Sequence, residues 1–368
     1  MKSLSEEAPA AHTYQQVGEI ADTVADDIEP NVFLSDSSGD EAAIMDIIKA
    51  FMLNAAQEHA FRIIAYHSLG QSKVGPQLLM GVFGEVGMGK SRLIAAIRRW
   101  FIAHDRGDEI MVTAYTGTAA FNINGATLHS TCNLPIGKKK KKPGPEKAKK
   151  LARCHYLIVD EVSMMDCKNL VNLHNNLGNV RRKQVENFGG VNIIFMGDFL
   201  QIPSVSNLHL YVDMPSKWEL GHQLWRSLNA VVLLSEQMRQ SDDPEFGAAL
   251  RWFRIRQAII QDIELLNSRV CDPLNAPTTI PIIVHHHKLC NTINSCKLRE
   301  ASERSGIPMT HCLAKITSQS KMTLTDVYIQ KGGTSKLKGD GIFSVIPSAP
   351  LVINKNIDSS LGTCHSFI

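Results

Sequence analysis

A glycine-rich segment, GEVGMGKS at residues 84–91, has the residue types and the spacing of a phosphate-binding loop. It lies between a short apolar run and an apolar helical pattern, which is the context that such a loop requires. Lys90 would reach the β- and γ-phosphates, and Ser91 would bind Mg²⁺. A glycine-rich turn without a ligand is the structural alternative. The glycines that would let backbone N–H groups face the phosphates at a helix N-terminus are Gly84, Gly87 and Gly89.

Two carboxylates follow a second apolar run, in LIVDEVSMMD at residues 157–166. A carboxylate at the tip of a strand beside a phosphate loop can hold Mg²⁺ through water, and its neighbour can take the proton of an attacking water. We therefore assign Asp160 to the metal and Glu161 to the general base. A solvated acidic turn is the alternative for this pair.

A third apolar run, NIIFMGD at 192–198, leads into FLQIP at 199–203. If this run is a strand of the same sheet, Gln201 lies just past its end, at the edge where the other two segments lie. A neutral amide there can sense the γ-phosphate or orient water. Alone, the segment would be a strand with a proline-terminated turn, but its order after the other two favours the catalytic interpretation.

These segments need a scaffold that brings them to one edge. From LLMGVFG to NIIFMGD, short apolar runs alternate with helical patterns such as KSRLIAAIRRWFIAH. Such alternation is typical of βαβ units, so we predict an α/β fold with a parallel sheet. Upstream, the apolar spacing that starts at Ile44 predicts two helices, broken near Leu53 and Asn54.

A second cycle of the same kind starts near Ser235. We predict a helical stretch through Trp252 and Ile260, a strand PIIV at 281–284 and a helix from about Lys288. This cycle indicates a second, smaller α/β domain. The length of 368 residues agrees with two domains, because a single core usually stops growing near about 250–300 residues.

The composition bounds the class of protein. Hydrophobic residues make up 44% and charged residues 20%, which excludes a disordered or collagen-like chain. The sequence has neither an apolar run of about 18 residues nor a secretory signal, so we predict an intracellular chain with no membrane partner. The eight scattered cysteines show no CxxC pair, which favours reduced thiols.

Charge is distributed unevenly along the chain. Residues 1–50 carry −9, so the remaining residues carry +12 within a net charge of +3. We interpret residues 1–42 as an acidic, disordered leader. The basic body suits a polyanionic partner, although charge alone does not distinguish nucleic acid from a solvated surface.

Six segments in a fixed order resemble a known family. The stretch from Asp160 to Pro203, especially residues 188–203, resembles a signature of that family and separates this chain from generic ATPases. The chain is similar, over about residues 50–300, to superfamily-one helicases of the petite-integration-frequency family, a group that includes the helicases of Helitron transposons. The segments are GEVGMGKS, TAYTGTAA, TLHS, DEVSMMD, FGGVNIIFMGDFLQIP and LSEQMRQ.

The resemblance implies further site residues. Gln57 would recognise adenine, with a plain exposed glutamine as the alternative. Arg239 would enter the nucleotide site from the second domain, with a surface salt bridge as the alternative. For His129, a buried structural role is also open. The residues that would contact the backbone of single-stranded DNA are Thr116, Gly117, Thr118, Thr127 and His129.

The resemblance also implies the architecture of a P-loop NTPase with a RecA-like parallel sheet flanked by helices. We predict the ATP-binding domain at 43–235 and a second, incomplete RecA-like domain at 236–368. Family members continue with a DNA-binding insertion, a second glutamine-containing DNA motif and a second catalytic arginine, which we do not find. APLVINKNIDSSLG at 349–362 resembles the segment that precedes those motifs, so we predict a C-terminally truncated chain.

Two remaining segments have open or structural interpretations. The basic loop GKKKKKPGPEKAKK at 137–150 could add nonspecific DNA affinity, act in nuclear import or be a solvated insertion. His285, His286, His287 and Cys290 lack the paired spacing of a zinc site, so we interpret them as a strand-to-helix crossing.

The function implied is that of an ATP-dependent 5′-to-3′ DNA helicase that uses ATP and Mg²⁺. Its partners would be single-stranded DNA and duplex junctions, and it would be a monomeric motor in the nucleus or the mitochondrial matrix. Telomere maintenance, recombination, repair and transposition are all open as its cellular task. The alternatives are a truncated, non-catalytic remnant that binds ATP or DNA without unwinding, and an ATPase switch unrelated to DNA.

Overall fold

The computed structural model describes residues 38–71, 76–135, 144–206, 208–212, 219–238, 243–270, 282–313 and 342–347. The chain divides into two compact units, which are described separately. The first is Met1–Leu265 with Asn354–His365, and the second is Leu266–Ile353 with Ser366–Ile368. The division therefore falls after Leu265 rather than after residue 235, where the sequence places it.

The first unit is built on a six-stranded sheet in which every neighbouring pair is parallel. The strand order is β3-β2-β4-β5-β1-β6. This arrangement confirms the predicted α/β fold, and it places the carboxyl ends of all six strands at one edge. The strands are β1 Leu79–Gly84, β2 Ile110–Ala114, β3 Ala126–Thr127, β4 Tyr156–Asp160, β5 Asn192–Gly197 and β6 Ala230–Leu234.

Helices flank the sheet and connect its strands. Two short 3₁₀ helices, Val162–Met164 and Asn187–Gly190, follow β4 and precede β5. The helices of the first unit are α1 Ser38–Phe51, α2 Ala55–Ser68, α3 Lys90–Ala103, α4 Gly117–Asn122, α5 Leu128–Thr131, α6 Pro145–Arg153, α7 Cys167–Arg181, α8 Glu219–Arg226 and α9 Pro244–Arg254. The division after Leu265 falls within a further helix, α10 Ile260–Asn267.

The core lies in two layers, one on each face of the sheet. Successive residues of a strand point to opposite faces, so Ile158 packs into one layer while Leu157 and Val159 pack into the other. The first layer contains α1 to α3, and the second contains α7 and α8. Fully burying an isoleucine, leucine or valine side chain stabilises the fold by about 1.5–3 kcal/mol. The two layers together therefore stabilise the sheet and fix the positions of its strand ends.

The N-terminal helices show how local sequence sets the element ends. Helix α1 ends at Phe51 and the Asn54 side chain caps α2, which confirms the predicted break. The prediction of a disordered leader to residue 42 is wrong for 38–42, because α1 begins at Ser38. Glu41, in its first turn, pairs with Arg62 at 2.7 Å, so these polar residues belong to the fold.

The second unit is described only in part. It contains helix α11 at His287–Ser305, which confirms the predicted helix, and an antiparallel pair of strands, β7 Thr310–Leu313 and β8 Ile342–Val345. The predicted strand at 281–284 is wrong over the described residues 282–284, where Ile283 is 98% exposed and no strand pairs with it. A RecA-like fold for this unit stays a prediction. Across the described ranges, no helix is long and apolar enough to cross a membrane.

Candidate active site

The glycine-rich loop connects β1 to α3 at the carboxyl edge of the sheet. Gly87 and Gly89 have φ angles of +91° and +74°, which non-glycine residues rarely adopt. A Cβ on Gly89 would lie 2.2 Å from Nε2 of Gln57, so the backbone approaches that side chain closely. Lys90, the first residue of α3, donates from Nζ to the carbonyl of Gly84 at 2.6 Å.

The ammonium of Lys90 lies among acidic side chains. Burial lowers the pKa of Lys90, while the carboxylates of Asp160, Asp198 and Glu161 favour its protonated form. Its Nζ also donates to the carbonyl of Glu85 at 2.8 Å, so its hydrogen bonds are to neutral backbone oxygens. Phosphate oxygens are stronger acceptors for an ammonium than carbonyls, so this cation is suited to bind them.

Asp160 ends the fully buried strand β4 and is itself 6% exposed. Burial raises the pKa of Asp160, and a backbone N–H and Lys90 offset this only in part. Among the described residues, its buried Oδ1 has no hydrogen-bond partner. A buried, unsatisfied carboxylate oxygen favours a cation, and Ser91 is an exposed residue at the start of α3. These residues therefore fit Mg²⁺ at this edge.

Glu161 has a left-handed backbone, with φ 57° and ψ 44°. Non-glycine residues in this region are strained, and such strain concentrates at functional sites. Burial raises the pKa of Glu161, and the neighbouring Asp160 raises it further. A carboxylate whose protonated form is favoured in this way is suited to accept a proton.

Asp198 follows β5 and is 2% exposed. Its two oxygens accept hydrogen bonds from the guanidinium of Arg254 in α9, one of them at 2.7 Å. Burial raises the pKa of Asp198, but the hydrogen bonds from Arg254 and Leu200 outweigh burial and hold the pKa below its ordinary value. Gln201 donates from Nε2 to the same carboxylate at 3.3 Å.

Sequence reasoning missed both Asp198 and Arg254. Asp198 carried a usable signal, because it follows a buried apolar run as Asp160 does. Arg254 carried none, since it lies 56 residues away in a helix whose sequence resembles any amphipathic surface helix.

Gln57 is fully buried, which contradicts the alternative of an exposed glutamine. Its Oε1 accepts from the N–H of Asn54 at 3.1 Å, and its Nε2 donates to the carbonyl of Met88 at 3.0 Å. The side chain therefore links the start of α2 to the backbone of the phosphate loop. Its role toward adenine stays a prediction.

The residues expected to contact DNA lie at or just after the ends of β2 and β3, at the same edge. Thr116 caps α4, its Oγ1 accepting from the N–H of Ala119 at 3.2 Å, and Thr127 caps α5. Thr118 is exposed, and Gly117 is the first residue of α4. His129 packs edge-on to the ring of Tyr115, at 5.0 Å between centroids. A contact with DNA stays a prediction for all of them.

Arg239 and residues 137–143 of the predicted basic loop, with its lysines at 138–142, lie outside the described residues. The loop prediction is wrong for 145–150, because these residues begin helix α6. The residues directly before Arg239 lie on the phosphate loop: Met238 donates its N–H to the carbonyl of Gly87 at 2.9 Å, and Gln237 bonds the carbonyl of Val86 at 3.0 Å. In the described part of the chain, no group of three His, Cys, Asp or Glu side chains could hold a metal ion.

Comparisons with known proteins agree on one family. The model of the PIF1-like helicases matches residues 52–253. The ATP-dependent DNA helicase PIF1 of Emericella nidulans is 35% identical over 185 residues, 47% of this chain and 24% of that protein. The ATP-dependent DNA helicase RRM3 of Saccharomyces cerevisiae is 32% identical over 195 residues, 50% of this chain and 26% of that protein. The aligned part is thus about a quarter of each relative.

Solved structures share the fold. The Pif1 helicase of Candida albicans superimposes with a TM-score of 0.62 at 22% identity, over 83% of this chain and 66% of that one. The Bacteroides Pif1 bound to single-stranded DNA gives a TM-score of 0.58 at 22% identity, over 85% of this chain and 67% of that one.

Proposed function

Because this chain belongs to the PIF1-like helicase family, we propose that it is the ATP-hydrolysing part of a DNA helicase. The relatives are named ATP-dependent DNA helicases, which supports the use of a nucleotide by this chain. The observation that supports the proposal best is the meeting of Lys90, Asp160, Glu161 and Asp198 at the carboxyl edge of one parallel sheet.

ATP would bind with its phosphates against the N–H groups of the glycine-rich loop, at the N-terminus of α3. Lys90 would exchange its two backbone carbonyls for β- and γ-phosphate oxygens. Ser91 and Asp160 would hold Mg²⁺, which supplies positive charge to the phosphates when it is bound. Gln57 would hydrogen-bond the adenine edge while still supporting the loop.

Hydrolysis would follow from the residues past β4 and β5. Glu161 would accept a proton from the water that attacks the γ-phosphorus, as the bond from phosphorus to the β–γ bridging oxygen breaks and ADP leaves. Gln201 would orient that water or contact the γ-phosphate. Arg239 would stabilise the charge that develops on the transferred group, and the position of Gln237 and Met238 on the loop supports this assignment.

Single-stranded DNA would run over the ends of β2 and β3, where Thr116, Gly117, Thr118, Thr127 and His129 lie. Small hydroxyl groups and backbone N–H groups suit a grip on phosphates that does not read sequence. The Bacteroides relative was solved with single-stranded DNA, and we propose the same ligand here, together with duplex junctions.

The cellular setting follows from this activity. We propose that the protein is a monomeric motor in a compartment that contains DNA, which is the nucleus or the mitochondrial matrix. Its task there would be DNA repair, recombination, telomere maintenance or transposition. A 5′-to-3′ direction of travel is part of the proposal.

The experiment that tests it is strand displacement from two matched duplexes, one with a 5′ single-stranded tail and one with a 3′ tail. We expect ATP-dependent displacement of the 5′-tailed duplex only, and none by Lys90→Ala. Equal displacement of both duplexes would contradict the direction. Displacement without ATP by the wild-type chain and by Lys90→Ala alike would contradict an ATP-driven helicase.

A further inference from the structure

The guanidinium of Arg254 contacts two parts of the candidate nucleotide site. It makes a two-pronged contact with the carboxylate of Asp198, which is 2% exposed. Its Nε lies 3.4 Å from Oε1 of Glu85, a residue of the phosphate loop. The Arg254 side chain is 22% exposed, so this contact is largely shielded from water. A planar guanidinium that makes two parallel hydrogen bonds to a carboxylate fixes the orientation of that carboxylate as well as its distance.

Asp198 passes this constraint on to Gln201. The same oxygen that accepts from Nη1 of Arg254 also accepts from Nε2 of Gln201, and the Gln201 N–H donates to the Asp198 carbonyl at 3.0 Å. The amide assigned to the γ-phosphate or the attacking water is therefore oriented by a carboxylate that Arg254 holds. Arg254 of α9 therefore contacts the phosphate loop directly through Glu85 and reaches Gln201 through Asp198.

We propose that Arg254 is a positioning residue of the nucleotide site, which holds Asp198 and through it Gln201 in the orientation that distinguishes a nucleoside triphosphate from a diphosphate. This inference rests on the proposed function, because it assumes that the loop binds ATP. Arg254 needs no contact with the nucleotide for this role. We expect its effect to fall on triphosphate binding, because Gln201 is the residue assigned to the γ-phosphate or the attacking water and Arg254 acts on it through Asp198.

The test is isothermal titration calorimetry of the full chain with Mg²⁺ and either ADP or adenylyl imidodiphosphate, a slowly hydrolysed triphosphate. We expect the wild-type chain to bind the triphosphate more tightly. In Arg254→Gln we expect triphosphate affinity to fall at least tenfold while ADP affinity changes less than twofold. Arg254→Lys keeps the charge without the fork and should show the same selective loss. Arg251→Gln, at an exposed arginine one turn earlier in α9, is the matched control and should bind both nucleotides normally.

A second variant separates positioning from folding. Arg254→Gln leaves a buried carboxylate without its cation, which destabilises a protein whatever its function. Asp198→Asn combined with Arg254→Gln removes that uncompensated charge, so we expect a Tm closer to the wild-type value without recovery of triphosphate selectivity. If Arg254→Gln does not fold, the double variant alone decides.

Three results would overturn the inference. They are a wild-type ratio of triphosphate to ADP affinity in Arg254→Gln, a wild-type ratio in the double variant, and equal affinity of the wild-type chain for both nucleotides. A wild-type chain that binds neither nucleotide overturns the proposed function as well. If the wild-type chain binds the triphosphate but does not hydrolyse ATP, only the proposed helicase activity is overturned. The ratio of triphosphate to ADP affinity then still tests the role of Arg254.

Discussion

Glu161 combines two features at the residue scale that favour a general base, a left-handed backbone and a carboxylate whose pKa is raised by burial and by Asp160. Removing general-base catalysis typically costs about 10²–10⁴ in rate. We expect Glu161→Gln to lower kcat for ATP hydrolysis by at least about a hundredfold with little change in nucleotide affinity. Glu186→Gln, at an exposed glutamate, is the control. A Glu161→Gln variant within threefold of the wild-type kcat would exclude this role.

Thr116 has an observed role as a helix cap and a proposed contact with DNA, and a pair of variants can separate the two. Its Oγ1 caps α4 as an acceptor, which leaves the hydroxyl proton available for a phosphate oxygen. Thr116→Ala should lose the cap, about 1 kcal/mol, and also weaken single-stranded DNA binding. Thr116→Asp should keep the cap but repel phosphate, so its DNA affinity should fall further while its Tm stays near that of the wild-type protein. Fluorescence anisotropy with a labelled oligonucleotide measures this, and wild-type affinity in Thr116→Asp would remove Thr116 from the DNA path.

At the scale of elements, the phosphate loop between β1 and α3 depends on close contact with α2. Gly89→Ala places a methyl group 2.2 Å from Nε2 of Gln57 and forces alanine into φ +74°. We expect nucleotide affinity to fall at least tenfold. In a Gln57→Ala background the collision is removed but the strained φ remains. Gly89→Ala should therefore lower nucleotide affinity by a smaller factor in that background than in the wild-type chain. Gly144→Ala, which meets nothing within 4 Å, should bind nucleotide normally.

The link between β5 and α9 predicts a pH dependence of stability. The folded protein holds the pKa of Asp198 below its ordinary value of 3.8, so folding favours the carboxylate. That stabilisation is fully present above the unfolded value and is lost as the pH falls through the lower folded value. We expect Asp198→Asn to cost about 2 kcal/mol at pH 7 and progressively less below about pH 4, measured by urea unfolding. A difference that persists unchanged at pH 3 would contradict the ion pair.

Local sequence predicted those elements whose pattern is local. The apolar runs of β1, β4 and β5 lie beside chemical motifs, so both their strand character and their shared edge followed from the sequence. The run at 281–284 looked the same, yet its described part forms no strand, since a strand depends on a partner that an apolar run does not reveal. The contact of Arg254 with Asp198 could not be predicted either, because it forms only in the folded chain, between residues 56 positions apart. The roles assigned to Gln57, Gln201 and Arg239 stay predictions.

At the scale of the whole molecule, the +12 charge of residues 51–368 should make DNA binding depend on salt. Each phosphate neutralised on a single strand contributes about −0.7 to the slope of log affinity against log salt. We therefore expect single-stranded DNA affinity to fall at least tenfold between 50 and 200 mM salt, a range over which proteins with about 6–10 phosphate contacts lose far more. Affinity that is independent of salt would mean that the basic body does not contact the DNA backbone.

The central claim is that one edge of the sheet hydrolyses ATP and that DNA on the neighbouring strand ends controls the rate. The measurement that tests it most directly is steady-state ATP hydrolysis by the full chain with and without single-stranded DNA, beside Lys90→Ala. We predict hydrolysis that single-stranded DNA stimulates at least tenfold and that Lys90→Ala abolishes. Nucleotide binding without turnover, whether or not DNA is present, would contradict the claim.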